Sequence, residues 1–283
     1  MQPDILRPIA WLDGSRKYLK ILRISLVERL AYRADFFLTT FLRFLPLITT
    51  FLLWEAIYLG SGADEIAGFT KKKMIAYLLL VQVSRMFSSM PGLATGIARD
   101  IRDGNLKKYL LQPIDMLWYL LSYRGAHKIA YIATTALPYA LLFFLFREVF
   151  DELPGPTTLL AYVASLLLAF LIGFFFEACI GIAGFWFMEV TSLMYIINIF
   201  TYFVSGQMFP LELLAGYPYV TQVLDLLPFQ FMAYFPAMVF LEKKQDTELL
   251  EGLVIECGWA IGLVLLCRWM YRLGLRRYSA FGG

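Results

Sequence analysis

Five ionisable side chains interrupt otherwise apolar stretches of the chain: Arg43, Glu55, Arg85, Glu177 and Glu256. In hydrocarbon such groups are costly, and they persist where they pair, line a polar path or bind cargo. Arg43 and Glu55 fall near opposite ends of one stretch, within reach of an interface. Arg85 lies in the middle of its stretch, in VQVSR, and Glu177 interrupts GFFFEACIG, whose small residues allow close helix approach. Two readings follow. Arg85 and Glu177 form a buried ion pair that joins two helices, or they contact a translocated solute or ion.

Other chemistry is missing. The chain contains no G-x-x-x-x-G-K-[ST], so it cannot cradle nucleotide phosphates in a P-loop. With a single histidine, His127, an H-E-x-x-H metal site is excluded. No G-x-S-x-G surrounds Ser205, which removes the nucleophile elbow of a hydrolase. Cys179, Cys257 and Cys267 sit in apolar stretches and form no C-x-x-C pair, so neither a disulfide framework nor a zinc site is expected. No enzyme active site and no metal is assigned to this chain.

The most informative polar segment is RDIRDGNLKKYLLQP, from Arg99 to Pro113. Asn105 reads as an N-cap, Leu106, Tyr109 and Leu110 share an i, i+3, i+4 face, and Pro113 stops the turn. This predicts a short amphipathic helix. It either lies on lipid headgroups or serves as a knob for a soluble partner.

The elements that must position these residues follow from composition. Of 283 residues 60% are hydrophobic and 17% charged, against about 45–50% and 25% in soluble domains. A net charge of +3 without a one-sided basic excess argues against a nucleic-acid partner. The expected fold is all-α, a polytopic membrane protein with six spans at 36–59, 74–97, 117–146, 158–187, 191–210 and 250–271. The third and fourth exceed the required length, so their ends at 117–128 and 177–187 are expected to be interfacial or bent. Residues 15–33 place Tyr18, Leu19, Leu22, Leu26 and Leu30 on one arc and predict an interfacial helix. Between Gly206 and Pro236 the chain stays apolar, but Pro210, Pro218, Pro228 and Pro236 preclude a continuous helix. Short re-entrant or interfacial helices at the outer face are expected there. Lys and Arg concentrate in the N-terminal arm, the 99–128 connection and the tail, which puts both termini in the cytoplasm. The whole chain, 1–283, reads as one membrane domain, with a cytoplasmic arm at 1–35, a cytoplasmic connection at 99–116 and an outer cap at 206–248.

Taken together, IRDGNLKKYLLQP at 101–113, GFWFMEV at 184–190, SGQMFPLELL at 205–214, LLPFQFMAYFPA at 226–237 and the terminal RRYSAFGG resemble permease subunits of type-2 ATP-binding-cassette (ABC) exporters. Within that superfamily the resemblance is to the ABC-2 family transporter proteins, and it covers essentially the whole chain. It implies a half-transporter in the inner (plasma) membrane that pairs with an identical or different second permease. Two ABC ATPase subunits would bind ATP and Mg, while this chain would hold no cofactor. The first cytoplasmic connection would be the coupling helix, with Ile101, Leu106, Tyr109, Leu110 and Pro113 as its framework and apolar contacts. Arg102, Asp103, Lys107 and Lys108 would supply polar contacts to the ATPase. Phe209, Pro210, Pro228 and Phe229 would belong to an outer gate. The expected function is export of an apolar or amphipathic substrate; the alternatives are an ion-coupled secondary transporter and a non-transporting membrane scaffold.

Overall fold

Helical signals dominate the chain, and the computed structural model describes residues 17, 19–25, 27, 34–150, 154–187 and 190–278. Of the expected interfacial segment 15–33, residues 19–25 are helical, and the remainder lies largely outside the described residues.

Helix α1 spans Ala34–Ser61. A two-residue hairpin follows, Glu65–Ile66 (β1) against Phe69–Thr70 (β2), with Ile66 opposite Phe69. Ala67 and Gly68 both have positive φ, as a tight hairpin turn requires. Thr70 then caps helix α2 (Lys71–Ser88) by accepting from the Lys73 N–H.

Helix α2 ends inside the stretch 74–97 that was expected to be one span. Pro91 and Gly92, the latter at φ 74°, break the chain, and helix α3 restarts at Leu93–Arg102. At 1.5 Å per residue α2 is about 27 Å long. The run therefore consists of two helices.

After a turn at Gly104, a single helical turn α4 occupies Lys107–Leu110. Its N-cap is Leu106, not Asn105, and it is shorter than the amphipathic helix expected. Helix α5 (Met116–Leu145) begins where Asp115 Oδ1 accepts from the Trp118 N–H at 3.0 Å. Pro156 opens helix α6 (Pro156–Ile182), which tightens into a 3-10 turn at Ala183–Phe185.

Helix α7 (Thr191–Val204) is about 21 Å long, shorter than a hydrocarbon core of about 30 Å. The expected span at 191–210 is cut off by the turn at Ser205 and Gly206, where φ is 76°. The proline-rich segment forms 3-10 turns at Leu211–Leu214 and Pro228–Met232, helix α8 (Pro218–Asp225) and helix α9 (Tyr234–Phe240). Helix α10 runs through Asp246–Arg277.

Among the described residues, three helices are long and apolar enough to cross a membrane: Met116–Leu145, Pro156–Phe185 and Asp246–Arg277. Leu45–Ser61 and Thr191–Val204 are shorter apolar helices. The chain groups into two units: Met1–Arg43 with Leu106–Phe144, and Phe44–Asn105 with Leu145–Gly283. Within the second, α6 is the central helix, on which α2, α3, α9 and α10 all pack.

Candidate functional site

The face of α6 that carries Gly173, Glu177 and Gly181, continued by Gly184 in the 3-10 turn that follows, holds the broken helix pair α2 and α3. A Cβ on Gly173 would stand 1.9 Å from the Ser88 carbonyl oxygen, so only glycine lets the end of α2 lie there. Two turns further on, a Cβ on Gly181 would meet Ala94 O and Ile97 Cβ, both at 2.8 Å. Gly184 meets Ala98 Cα at 3.1 Å in the same sense. Between these glycines, Glu177 Oε1 accepts from the Met90 N–H at 3.2 Å. That donor belongs to the break, where helical partners are missing. The break is thus seated on α6 by backbone contact and by the Glu177 carboxylate.

The two candidates for a buried ion pair, Arg85 and Glu177, differ in exposure. Arg85 is exposed on α2, with its guanidinium carbon 5.9 Å from the centroid of the Tyr202 ring on α7. Glu177 is half-buried and bonds the break. Glu256 is instead the most deeply enclosed of the intramembrane carboxylates, fully buried on α10 with Ser165 of α6 beside it.

In the connection, α3 ends at Arg102, whose Nε donates to Asp103 Oδ1 at 3.2 Å, and Ile101 is buried. In the following turn Leu106 (0% exposed) and Tyr109 (8%) are buried, and the Tyr109 ring packs at a tilt against Tyr119, with centroids 5.5 Å apart. The outward apolar side chains are Leu110 (49%) and Leu111 (83%), flanked by exposed Lys107, Lys108 and Pro113. Of the three apolar residues expected on this face, Leu110 alone is exposed, and Leu111 is exposed beside it. Leu106 and Tyr109 hold the turn, while Leu110 and Leu111 are presented. Leu111 lies outside the i, i+3, i+4 pattern, which stops at Leu110.

The four expected gate residues lie in two places on one packed segment. Phe209 is half-buried and Pro210 buried, beside the Gly206 turn. Pro228 and Phe229 are buried in the second 3-10 turn, where Phe229 meets Phe176 of α6 at 5.2 Å and Phe200 of α7 at 5.6 Å. The Gly206 turn is anchored from three sides. The Tyr77 hydroxyl donates to Gly206 O at 2.5 Å, the Tyr234 N–H to Ser205 O at 3.1 Å, and Trp54 Nε1 to Met208 O at 3.2 Å. Tyr234 in turn donates its hydroxyl to Glu212 Oε1 at 2.8 Å. Burial, reinforced by the Glu212 charge, raises the Tyr234 phenol far above its ordinary range. It stays a donor at every physiological pH.

Tyr77 carries no motif, and its role is visible only through its partner. Replacing Tyr77 with Phe should cost about 1–3 kcal/mol, because Gly206 O loses a buried donor. The thermal midpoint of the purified protein measures this. The same change at Tyr219, which is 83% exposed, should leave the midpoint unaltered. Equal midpoints for the two variants would refute the anchoring role.

Compared with known proteins, residues 44–282 match a family model described as ABC-2 family transporter protein. No curated protein and no solved structure matches the chain.

Proposed function

Because this chain belongs to the ABC-2 family of transporter proteins, a multi-pass membrane family of ABC permeases, we propose that it is the permease subunit of an ATP-driven exporter. All of 1–283 serves as one permease domain, with both termini in the cytoplasm of a cell bounded by this inner membrane. The partner ATPase subunits bind ATP and Mg and hydrolyse the nucleotide, and a second permease, identical or different, completes the pathway. The cargo is apolar or amphipathic.

The observation that carries this reading is the connection from the α6 glycine face to an exposed turn. Helix α3 packs on Gly181 of α6 and on Gly184 in the 3-10 turn after it, and the chain then continues through Gly104 into the turn bearing Leu110 and Leu111. A rigid helix seated backbone to backbone cannot absorb a displacement by side-chain adjustment. Movement imposed on its end is passed to the break and to α6. Nucleotide drives the cycle only through differential contact with the two transport states. In this reading, the turn is where that difference is applied. Phe209, Pro210, Pro228 and Phe229 form the outer closure, which the Tyr77 and Tyr234 hydrogen bonds hold in register.

A photo-crosslinker at position 111 in native membranes tests the reading. The expected adduct is a polypeptide carrying a P-loop. Adducts to lipid alone, or to partners that bind no nucleotide, would overturn it, and flux driven by an ion gradient without ATP would favour a secondary transporter.

A further inference from the structure

We propose that the hollow between α3 and the start of α7 is a binding site for a phosphate-bearing group, held by Arg99 and Arg102. The hollow has a volume of about 390 Å³ and is walled by Thr95, Gly96, Arg99 and Arg102 from α3 and by Val190 and Thr191 from α7. Its size falls within the range of about 300–1,000 Å³ common to small-ligand sites. It is too small to seat a protein helix.

The sequence of α3 builds this wall. Thr95, Arg99 and Arg102 recur at i, i+4 and i+7, so one face carries a hydroxyl and two guanidinium groups. The opposite face of the helix carries the buried Leu93, Ala94, Ile97 and Ile101. Gly96 keeps the space open, since a Cβ built there meets nothing within 4 Å.

The charged side chains on the hollow's described lining are Arg99 and Arg102. Among the described residues, no acidic side chain lines the hollow. Arg102 gives its Nε to Asp103, which leaves its two Nη groups as donors. Two planar donor forks one turn apart match the several oxygens of a phosphate and bind it more strongly than a neutral headgroup. The chemistry is shared by an anionic phospholipid and by a soluble phosphate, and the experiment separates them.

The full-length protein, purified in detergent without phosphate or its ATPase, is examined by native mass spectrometry and by thermal midpoint. The probes are phosphatidylglycerol, phosphatidylcholine and inorganic phosphate. Wild type should retain phosphatidylglycerol over phosphatidylcholine, and R99Q/R102Q should lose about tenfold or more of that retention, as expected for at least one lost charge-assisted hydrogen bond. R99Q alone, outside the ATPase-contact residues, should lose retention in the same direction. R272Q/R276Q removes two exposed arginines elsewhere on the chain and should retain the lipid. A midpoint shift by inorganic phosphate that vanishes in R99Q/R102Q would instead assign a soluble source. Equal retention of both lipids with no phosphate shift, or equal loss in R272Q/R276Q, would overturn the site. Since no ATPase is present, these outcomes are independent of the exporter reading.

Discussion

Valine in place of Gly173 should prevent the chain from accumulating as a folded, monodisperse protein, and alanine should already lower its thermal midpoint sharply. The added Cβ would lie 1.9 Å from the Ser88 carbonyl oxygen and 2.8 Å from its carbonyl carbon. The obstacle is backbone, so no rotamer change relieves it. Either α2 and α6 separate, losing contact along their shared face, or the end of α2 unwinds. Overpacking in a tight core costs about 1–3 kcal/mol and more where relaxation is blocked, a large share of a total stability of about 5–15 kcal/mol. Gly181→Ala should lie between the extremes, since Ala94 O and Ile97 Cβ stand at 2.8 Å. Gly258 and Gly262 form a G-x-x-x-G on α10, but a Cβ at either meets nothing within 4 Å. Alanine there should leave the midpoint unchanged or raise it, because glycine is the poorer helix former by about 1 kcal/mol. The series is read by thermal midpoint and size-exclusion profile in one detergent. If Gly173→Ala behaves like Gly258→Ala, the close packing of α2 on α6 is wrong.

That contrast also shows what sequence alone could reveal. Small residues around Glu177 and the G-x-x-x-G at Gly258 look equivalent as spacing, yet only one faces a neighbouring backbone within the chain. Helix facing depends on tertiary contacts that no local pattern contains. Arg85 illustrates the same limit of local pattern: hydropathy indicates that a charge there needs an outlet, while its exposure and its approach to Tyr202 follow from how its helix faces. Apolar length is more transferable. The stretches 117–146, 158–187 and 250–271 correspond to α5, α6 and α10, and polar ends such as Asp246 and Arg277 extend the last because they are good helix termini. The break in 74–97 was written in Met90-Pro91-Gly92, but a window average spreads over such punctuation. The stop of α7 was likewise written in Ser205-Gly206. The capping of α4 was misread because Asn105, a favoured cap by residue type, gives its N–H to Asp100 O instead.

The second large effect is expected at the turn that carries Leu110 and Leu111. Converting Leu110 and Leu111 together to glutamate should reduce transport-coupled ATP hydrolysis and flux by at least tenfold, with insertion and thermal midpoint unchanged. The two side chains are 49% and 83% exposed, so a charge there costs the isolated chain little. Exposed leucines flanked by Lys107 and Lys108 offer an apolar anchor with a polar rim, the arrangement that concentrates binding energy in few residues. Loss of such an anchor is worth about 2 kcal/mol or more, roughly thirtyfold in assembly affinity. Charges at Leu106 or Tyr109 should act differently, because both are buried and the Tyr109 ring packs on Tyr119. Those variants should lose stability first, and activity only as a consequence. Measuring midpoint and ATPase rate for both pairs therefore separates a contact surface from a structural turn. Wild-type coupling in the Leu110 and Leu111 double variant would remove the turn from the pathway of force. Destabilisation of that variant to the level of Tyr109→Glu would mean that the two leucines serve the fold rather than a partner.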